Sequence, residues 1–164
     1  MKKLIVLAAV VLGAVWMLRG ESSDKTDDNA VHDGHNHVVN RAWIEKIPKD
    51  MRDKIDVFIA QSDPQFGAFQ RTSAYEGSYS VFQWHGGGSG KYHVTMLQSG
   101  KKHDMKASVS RKNCKEFDLC MTLNGAPRGT TKYYSMKDWV IDGKATQENI
   151  RAFIRTKLLK AGAK

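Results

Sequence analysis

Residues 102–111 read Lys102-His103-Asp104-Met105-Lys106-Ala107-Ser108-Val109-Ser110-Arg111, and their alternation decides the fold class. Met105, Ala107 and Val109 share one face of an extended chain, while Lys102, Asp104, Lys106, Ser108 and Ser110 share the other. Side chains two apart point the same way only in a β-strand, so this stretch has one core face and one polar face. Phe117, Leu119, Met121 and Leu123 repeat the pattern against Asp118, Cys120, Thr122 and Asn124. Working outward, strands are expected at roughly 75–84, 91–98, 102–111, 117–124 and 131–141. Tight connections are signalled between them by Gly86-Gly87-Gly88-Ser89-Gly90, Ser99-Gly100 and Asn124-Gly125-Ala126-Pro127. Successive strands with short turns form an antiparallel meander.

Upstream the apolar period lengthens. Asn40 is a candidate N-cap for a helix through Trp43, Ile44 and Ile47, and Pro48 interrupts it or opens a second helix. Met51, Ile55, Phe58 and Ile59 fall on one helical face, with Ser62-Asp63-Pro64 as the stop. Residues 65–73 show no clear period. Downstream, Thr146 can cap a closing helix whose stripe is Ile150, Phe153, Ile154 and Leu158, with Gly162 at its end. The expected fold is therefore α+β: a single domain over residues 40–164, with a five-stranded antiparallel meander flanked by N-terminal and C-terminal helices.

The segment ahead of that domain speaks to compartment. Lys2 and Lys3 precede an apolar run from Leu4 to Leu18, which reads as a signal peptide or signal anchor over residues 1–20. At about 1.5 Å per residue the run spans about 22 Å, short of a hydrocarbon core of about 30 Å. Val15-Trp16-Met17-Leu18-Arg19 offers no small-x-small cleavage site, so a retained anchor and cleavage near Gly20 both stay open. Either way the domain is expected outside the cytoplasm, membrane-anchored or periplasmic in a bacterium, with the membrane as a partner through this segment. Residues 21–39 form an acidic, His-rich linker without apolar periodicity, the composition of a disordered tether.

Length and composition bound the rest. The 164 residues are 41% hydrophobic and contain two cysteines, which excludes a wholly disordered chain and a disulfide-rich scaffold. The net charge of +9 divides into +3 in residues 1–20, −4 in residues 21–36 and +10 beyond them. A strongly basic domain behind an export segment points to an anionic envelope component or an acidic protein. Nucleic acid fits the charge but not the compartment.

Cys114 and Cys120 would stand about 20 Å apart on one straight strand, and a disulfide needs Cα atoms within about 7 Å. They can meet only if residues 115–118 turn, clamping the third and fourth expected strands as a hairpin. An oxidising compartment favours that bridge.

Several constellations resemble chemistry. Gly86-Gly87-Gly88-Ser89-Gly90-Lys91 fails as a phosphate-binding P-loop: His85 stands at its first glycine, Tyr92 replaces the hydroxyl residue and a strand follows. It reads as a hairpin loop. His32, His35 and His37 with Asp33 can wrap a weakly bound divalent transition metal, or simply belong to a solvated tether; no other cofactor is implied. His85, His93 and His103 sit on or beside neighbouring strands, where two of them can meet. Tyr75, Tyr79, Phe82, Trp84, Tyr92, Tyr133, Tyr134 and Trp139 fall on the expected sheet, mostly as core. Lys102, Lys106, Arg111, Lys112, Arg128 and Lys132, with Lys101 and Lys115 beside them, crowd the third strand, its turn and the start of the fifth, as a solvated face or an anion-binding one.

Two functions follow. The first is a non-enzymatic envelope domain whose basic sheet face binds a lipid headgroup, a cell-wall polymer or an acidic protein. The second is a metal-binding protein or metal-dependent enzyme using His85, His93, His103 and the His32–His37 tail.

Overall fold

The computed structural model describes residues 37–86 and 88–141, together with Ala152 and Thr156. Eight strands follow in order: β1 (Arg41–Ile44), β2 (Ile55–Ser62), β3 (Gln65–Thr72), β4 (Gly77–Gly86), β5 (Lys91–Met96), β6 (Lys102–Ser110), β7 (Leu119–Asn124) and β8 (Lys132–Ser135). Each pairs antiparallel with the next, and β8 returns to β1, so the sheet closes into a barrel.

This overturns the α+β expectation. The stretches read as five strands overlap β4–β8, although the fifth, expected to run to 141, ends as β8 at Ser135; the region read as N-terminal helices is β1 and β2, and the patternless residues 65–73 are β3. The reason lies in burial. Ile55, Asp56, Val57, Phe58 and Ala60 are all buried, on both faces of β2. A strand covered on both sides loses its alternation, and apolar residues at helical spacing then occur by default. Asn40, expected as a helix cap, instead has φ +55° and ties β1 to β2: its side-chain amide donates to Ser62 Oγ at 2.7 Å, and its Oδ1 accepts the Ser62 N–H at 2.9 Å. Ser62-Asp63-Pro64-Gln65, expected as a helix stop, is the β2–β3 turn, with a cis Asp63–Pro64 bond. The segment expected as an export signal or anchor and the expected linker up to residue 36 lie outside the described residues, as does the expected closing helix except for Ala152 and Thr156, whose backbone is helical.

The lumen is a filled core rather than a cavity. Trp43, Phe58, Phe69, Phe82, Trp84, Tyr92, Val94, Met105, Met121, Leu123 and Tyr133 pack there as one cluster. Phe58 and Phe69 lie 5.2 Å apart by ring centre, and Phe69 and Phe82 lie 4.9 Å apart. Gly67 faces Phe82 in the register, and a Cβ on it would overlap the Phe82 ring. That glycine makes room for the largest aromatic layer.

A second cluster sits on the outer wall. Ile44, Ile55, Val57 and Tyr134 point outward and are covered by Phe117 from the β6–β7 loop and Trp139 from the segment after β8. Phe117 stacks on Tyr134 at 5.1 Å and meets Trp139 edge-on at 6.1 Å. The Cys114–Cys120 disulfide, with Cα atoms 5.1 Å apart, pins this loop back on β7. The clamp expected between the third and fourth strands is therefore present. Farther round, the outer wall of β5 and β6 carries Lys91, His93, Lys102, Asp104 and Lys106, all exposed. An apolar interior beneath a charged exterior is the reverse of a membrane-spanning barrel.

Candidate functional site

Strand parity and the β7–β8 loop build the most developed polar arrangement. β8 turns Tyr133 inward and Lys132 and Tyr134 outward, while the loop 125–131 leads up to it. Gly125 (φ +77°) opens that loop under the Asp104 carbonyl, which leaves no space for a side chain. From the loop, Arg128 reaches across the barrel end to β4, donating from Nη2 to Ser80 Oγ at 3.0 Å and from Nη1 to Ser78 Oγ at 3.4 Å. Two positions on, the Thr130 hydroxyl donates to Asp56 Oδ2.

Asp56 is 2% exposed and closes this end of the lumen. Its Oδ2 also faces Arg71 Nη1 at 3.8 Å, and its backbone N–H donates to Glu45 Oε2 at 3.3 Å. A carboxylate buried this deeply needs such partners to offset its lost hydration. Tyr133 shares the pocket of charge. Burial first, then the neighbouring Asp56 charge, pushes its hydroxyl well above the ordinary tyrosine range, so it stays protonated. The plug of Asp56, Arg71, Thr130, Arg128 and Tyr133 is a structural network that happens to surface on one side.

Where it surfaces there is a cleft of about 630 Å³, lined by Glu45, Lys46, Lys115, Arg128, Gly129, Thr130, Thr131, Lys132 and Tyr134. Four cationic side chains thus face one carboxylate. Lys46 is tied to Asp53 at 2.6 Å, and that bond holds the Asp53 carboxyl below its usual range, with help from the Lys49 N–H. Lys115 lies 5.0 Å above the Tyr134 ring, a cation–π contact that orients its ammonium along the cleft wall. The ion pairs of the described residues join Lys46 to Asp53, Lys54 to Glu76, Arg71 to Asp56 and His93 to Asp104, so Lys115, Arg128 and Lys132 belong to none. Ammonium and guanidinium donors around threonine hydroxyls can hold a phosphate, sulfate or carboxylate group.

The six basic residues singled out in the sequence fall in three places. Lys102 and Lys106 are exposed on β6, with Lys106 directly opposite Lys91 on β5. Arg111 and Lys112 lie in the β6–β7 loop, at the far end of the barrel from the β7–β8 loop. Arg128 and Lys132 line the cleft. Reasoning from sequence placed Lys115 among the crowd at the β6–β7 turn but missed Lys46 altogether, since residues 43–47 read as helix. No sequence signal pairs Lys46 with Lys132; the closure of β1 on β8 does that.

The histidines divide as well. His32 and His35 lie outside the described residues. His37 is partly buried beside Arg111 and Arg41, and burial followed by those two charges lowers its pKa. His85 and His93 oppose each other on β4 and β5, their ring centres 5.1 Å apart, and both point outward. His103 pairs with Val94 on the inward side, so it does not join them. Among the described residues no three His, Cys, Asp or Glu side chains form a group able to hold a metal ion, and no helix is long and apolar enough to cross a membrane. No family model, no curated protein and no solved structure matches this chain.

Proposed function

We propose that the barrel is a non-enzymatic binding module of the bacterial envelope, and that the cleft beside β8 takes phosphate or carboxylate groups of an anionic polymer. The observation that carries this reading is the convergence of Lys46, Lys115, Arg128 and Lys132 around one cleft, against Glu45 alone. The chain enters the barrel at Arg41, at the start of β1, whereas Glu45 and Lys46 follow the end of that strand. A linker of the length and composition of residues 21–39 gives the barrel reach beyond a lipid surface, which favours a polymer in the space past it.

Polyphosphate and poly-glutamate are suitable probes, with vesicles containing anionic phospholipid as the competitor. Binding of at least one polymer should weaken steeply with added salt, because exposed charges are screened within about 8 Å at physiological ionic strength. The double charge reversal Lys115→Glu with Lys132→Glu should lower polymer affinity by about tenfold or more, equivalent to about 1.4 kcal/mol. Polymer binding unchanged by this reversal overturns the cleft. Tight binding to vesicles with none to either polymer overturns the partner.

A further inference from the structure

The outer wall of β4, β5 and β6 carries a second arrangement, independent of the cleft. In the register His85 stands directly opposite His93, and His93 stands directly opposite Asp104. The three side chains thus form a row across three strands, all on the outward face and all exposed. His93 Nδ1 lies 2.7 Å from Asp104 Oδ1. An ionised carboxylate only accepts, so in the neutral ring Nδ1 holds the proton against Asp104 and the lone pair is left on Nε2. A carboxylate on one ring nitrogen and a free lone pair on the other is the arrangement in which metal-binding histidines are held.

The second imidazole is at the right separation. Two imidazoles bound to one ion at about 2.0–2.1 Å place their ring centres roughly 5 Å apart at angles between square and tetrahedral. His85 and His93 have centres 5.1 Å apart, with 28° between their planes. Their stacked rings must swing to aim nitrogens at a shared ion. Both are on the surface, and the residue after His85 is Gly86, whose missing side chain leaves the space beside His93 Cδ2 open.

We propose that His85 and His93, with Asp104 orienting His93, form a two-imidazole chelate for a divalent transition ion, Cu²⁺ or Ni²⁺ above others. Imidazole donors suit these metals, and the copper end of the divalent series binds such ligands most strongly. Water or a partner's group completes the coordination. Asp104 is the one acid in the row; Lys91 and Lys106 on one side and Lys102 on the other are cationic and moderate the affinity. Both cysteines are consumed in the disulfide, so no thiol competes for copper.

The test is titration of Cu²⁺ alone into the full chain carrying His32→Asn, His35→Asn and His37→Asn, which removes the tail as a competing site. One copper should bind per chain, with electron paramagnetic resonance showing coordination by two imidazole nitrogens. Adding His85→Asn or His93→Asn should each lower the affinity by about tenfold or more, and the spectrum should lose one nitrogen. Asp104→Asn should weaken binding by about tenfold while keeping both nitrogens, the usual effect of removing a ligand's orienting partner. His103→Asn should change nothing, since His103 faces the other side. Circular dichroism of each variant confirms that the barrel is intact. If the tail-substituted chain binds no copper, or if the His85 and His93 variants bind it as tightly as their parent, the site does not exist.

Discussion

β2 and β6 are strands of one barrel with one side-chain period, yet only β6 alternates in its sequence. β6 shows buried Met105 and Ala107 between exposed Lys102, Asp104, Lys106 and Ser108. β2 shows four buried residues in succession at its start. The difference is what lies outside each. Solvent meets the outer wall at β6, while Phe117, Tyr134 and Trp139 pack against Ile44, Ile55 and Val57 at β1 and β2. Alternation therefore marks a strand whose second face is wet, and its absence does not show that a chain is anything other than extended.

That contrast can be broken by charge. Val57 is 4% exposed on the outer face of β2 and should not tolerate a lysine: Val57→Lys is expected to cost about 3 kcal/mol or more, through a buried, unpaired charge and lost packing. Ser108→Lys occupies the outer face of β6 and should stay within about 0.5 kcal/mol of the parent. Urea unfolding of both variants decides it. Equal costs would mean that the two walls are covered alike.

A smaller effect separates the loop that covers the wall from the wall itself. Replacing Cys114 and Cys120 together by serine opens a loop closed over a separation of six residues. Loss of that constraint on the unfolded chain should cost about 2 kcal/mol. It should also expose Phe117 and Tyr134, read as a rise in binding of a hydrophobic dye, while β4 and β5 keep their hydrogen-exchange protection. Uniform loss of protection throughout the barrel would show that the covering loop and the wall are one unit.

The smallest expected effect concerns His37, where the chain enters the barrel. Its folded pKa is lowered, first by burial and then by Arg111 and Arg41. The unfolded chain therefore binds the proton more readily than the folded one. Stability from this residue is complete above the unfolded histidine value of about 6.5 and declines as pH falls below it. His37→Asn should flatten the decline between about pH 6.5 and 5 in thermal unfolding. A slope unaltered by the substitution would place the sensitivity elsewhere.

Residue by residue, the legible parts are those where water touches one side. The strands β4–β8 could be read because Lys102, Asp104, Thr122 and their like mark the wet face. The disulfide could be read because chain reach alone forces Cys114 and Cys120 into a turn. β1–β3 could not, since Ile55, Val57, Phe58 and Ala60 carry no polar interruption that would distinguish a doubly covered strand from a helix. The cleft shares that fate: Lys46 stands just past β1, in a stretch read as helix. His103 was legible in principle. Its parity with Met105 on β6 assigns it to the inward face, apart from His93, and that signal lay in the same alternation that revealed the strand.

The barrel's ring of pairing is uneven. Neighbouring strands elsewhere share four to eight register pairs, but β1 and β8 share Ile44 with Tyr134 alone. Other contacts hold that join: Ser135 Oγ donates to the Ala42 carbonyl at 2.7 Å, the Ala42 N–H donates to the Trp139 carbonyl at 3.0 Å, and Arg41 donates to the Met136 carbonyl. The Ile141 N–H donates to the Asn40 carbonyl at 2.8 Å, so the segments leaving the two ends of the barrel meet there. A pull between those segments falls first on that one bond and then peels β8 from β1, opening the barrel like a seam unpicked from its end. A pull on the N-terminal segment alone, balanced by a partner in the cleft, instead passes lengthwise through β1 and its ladder with β2. The same molecule is thus weak to tension between its own ends and strong to tension running lengthwise along β1.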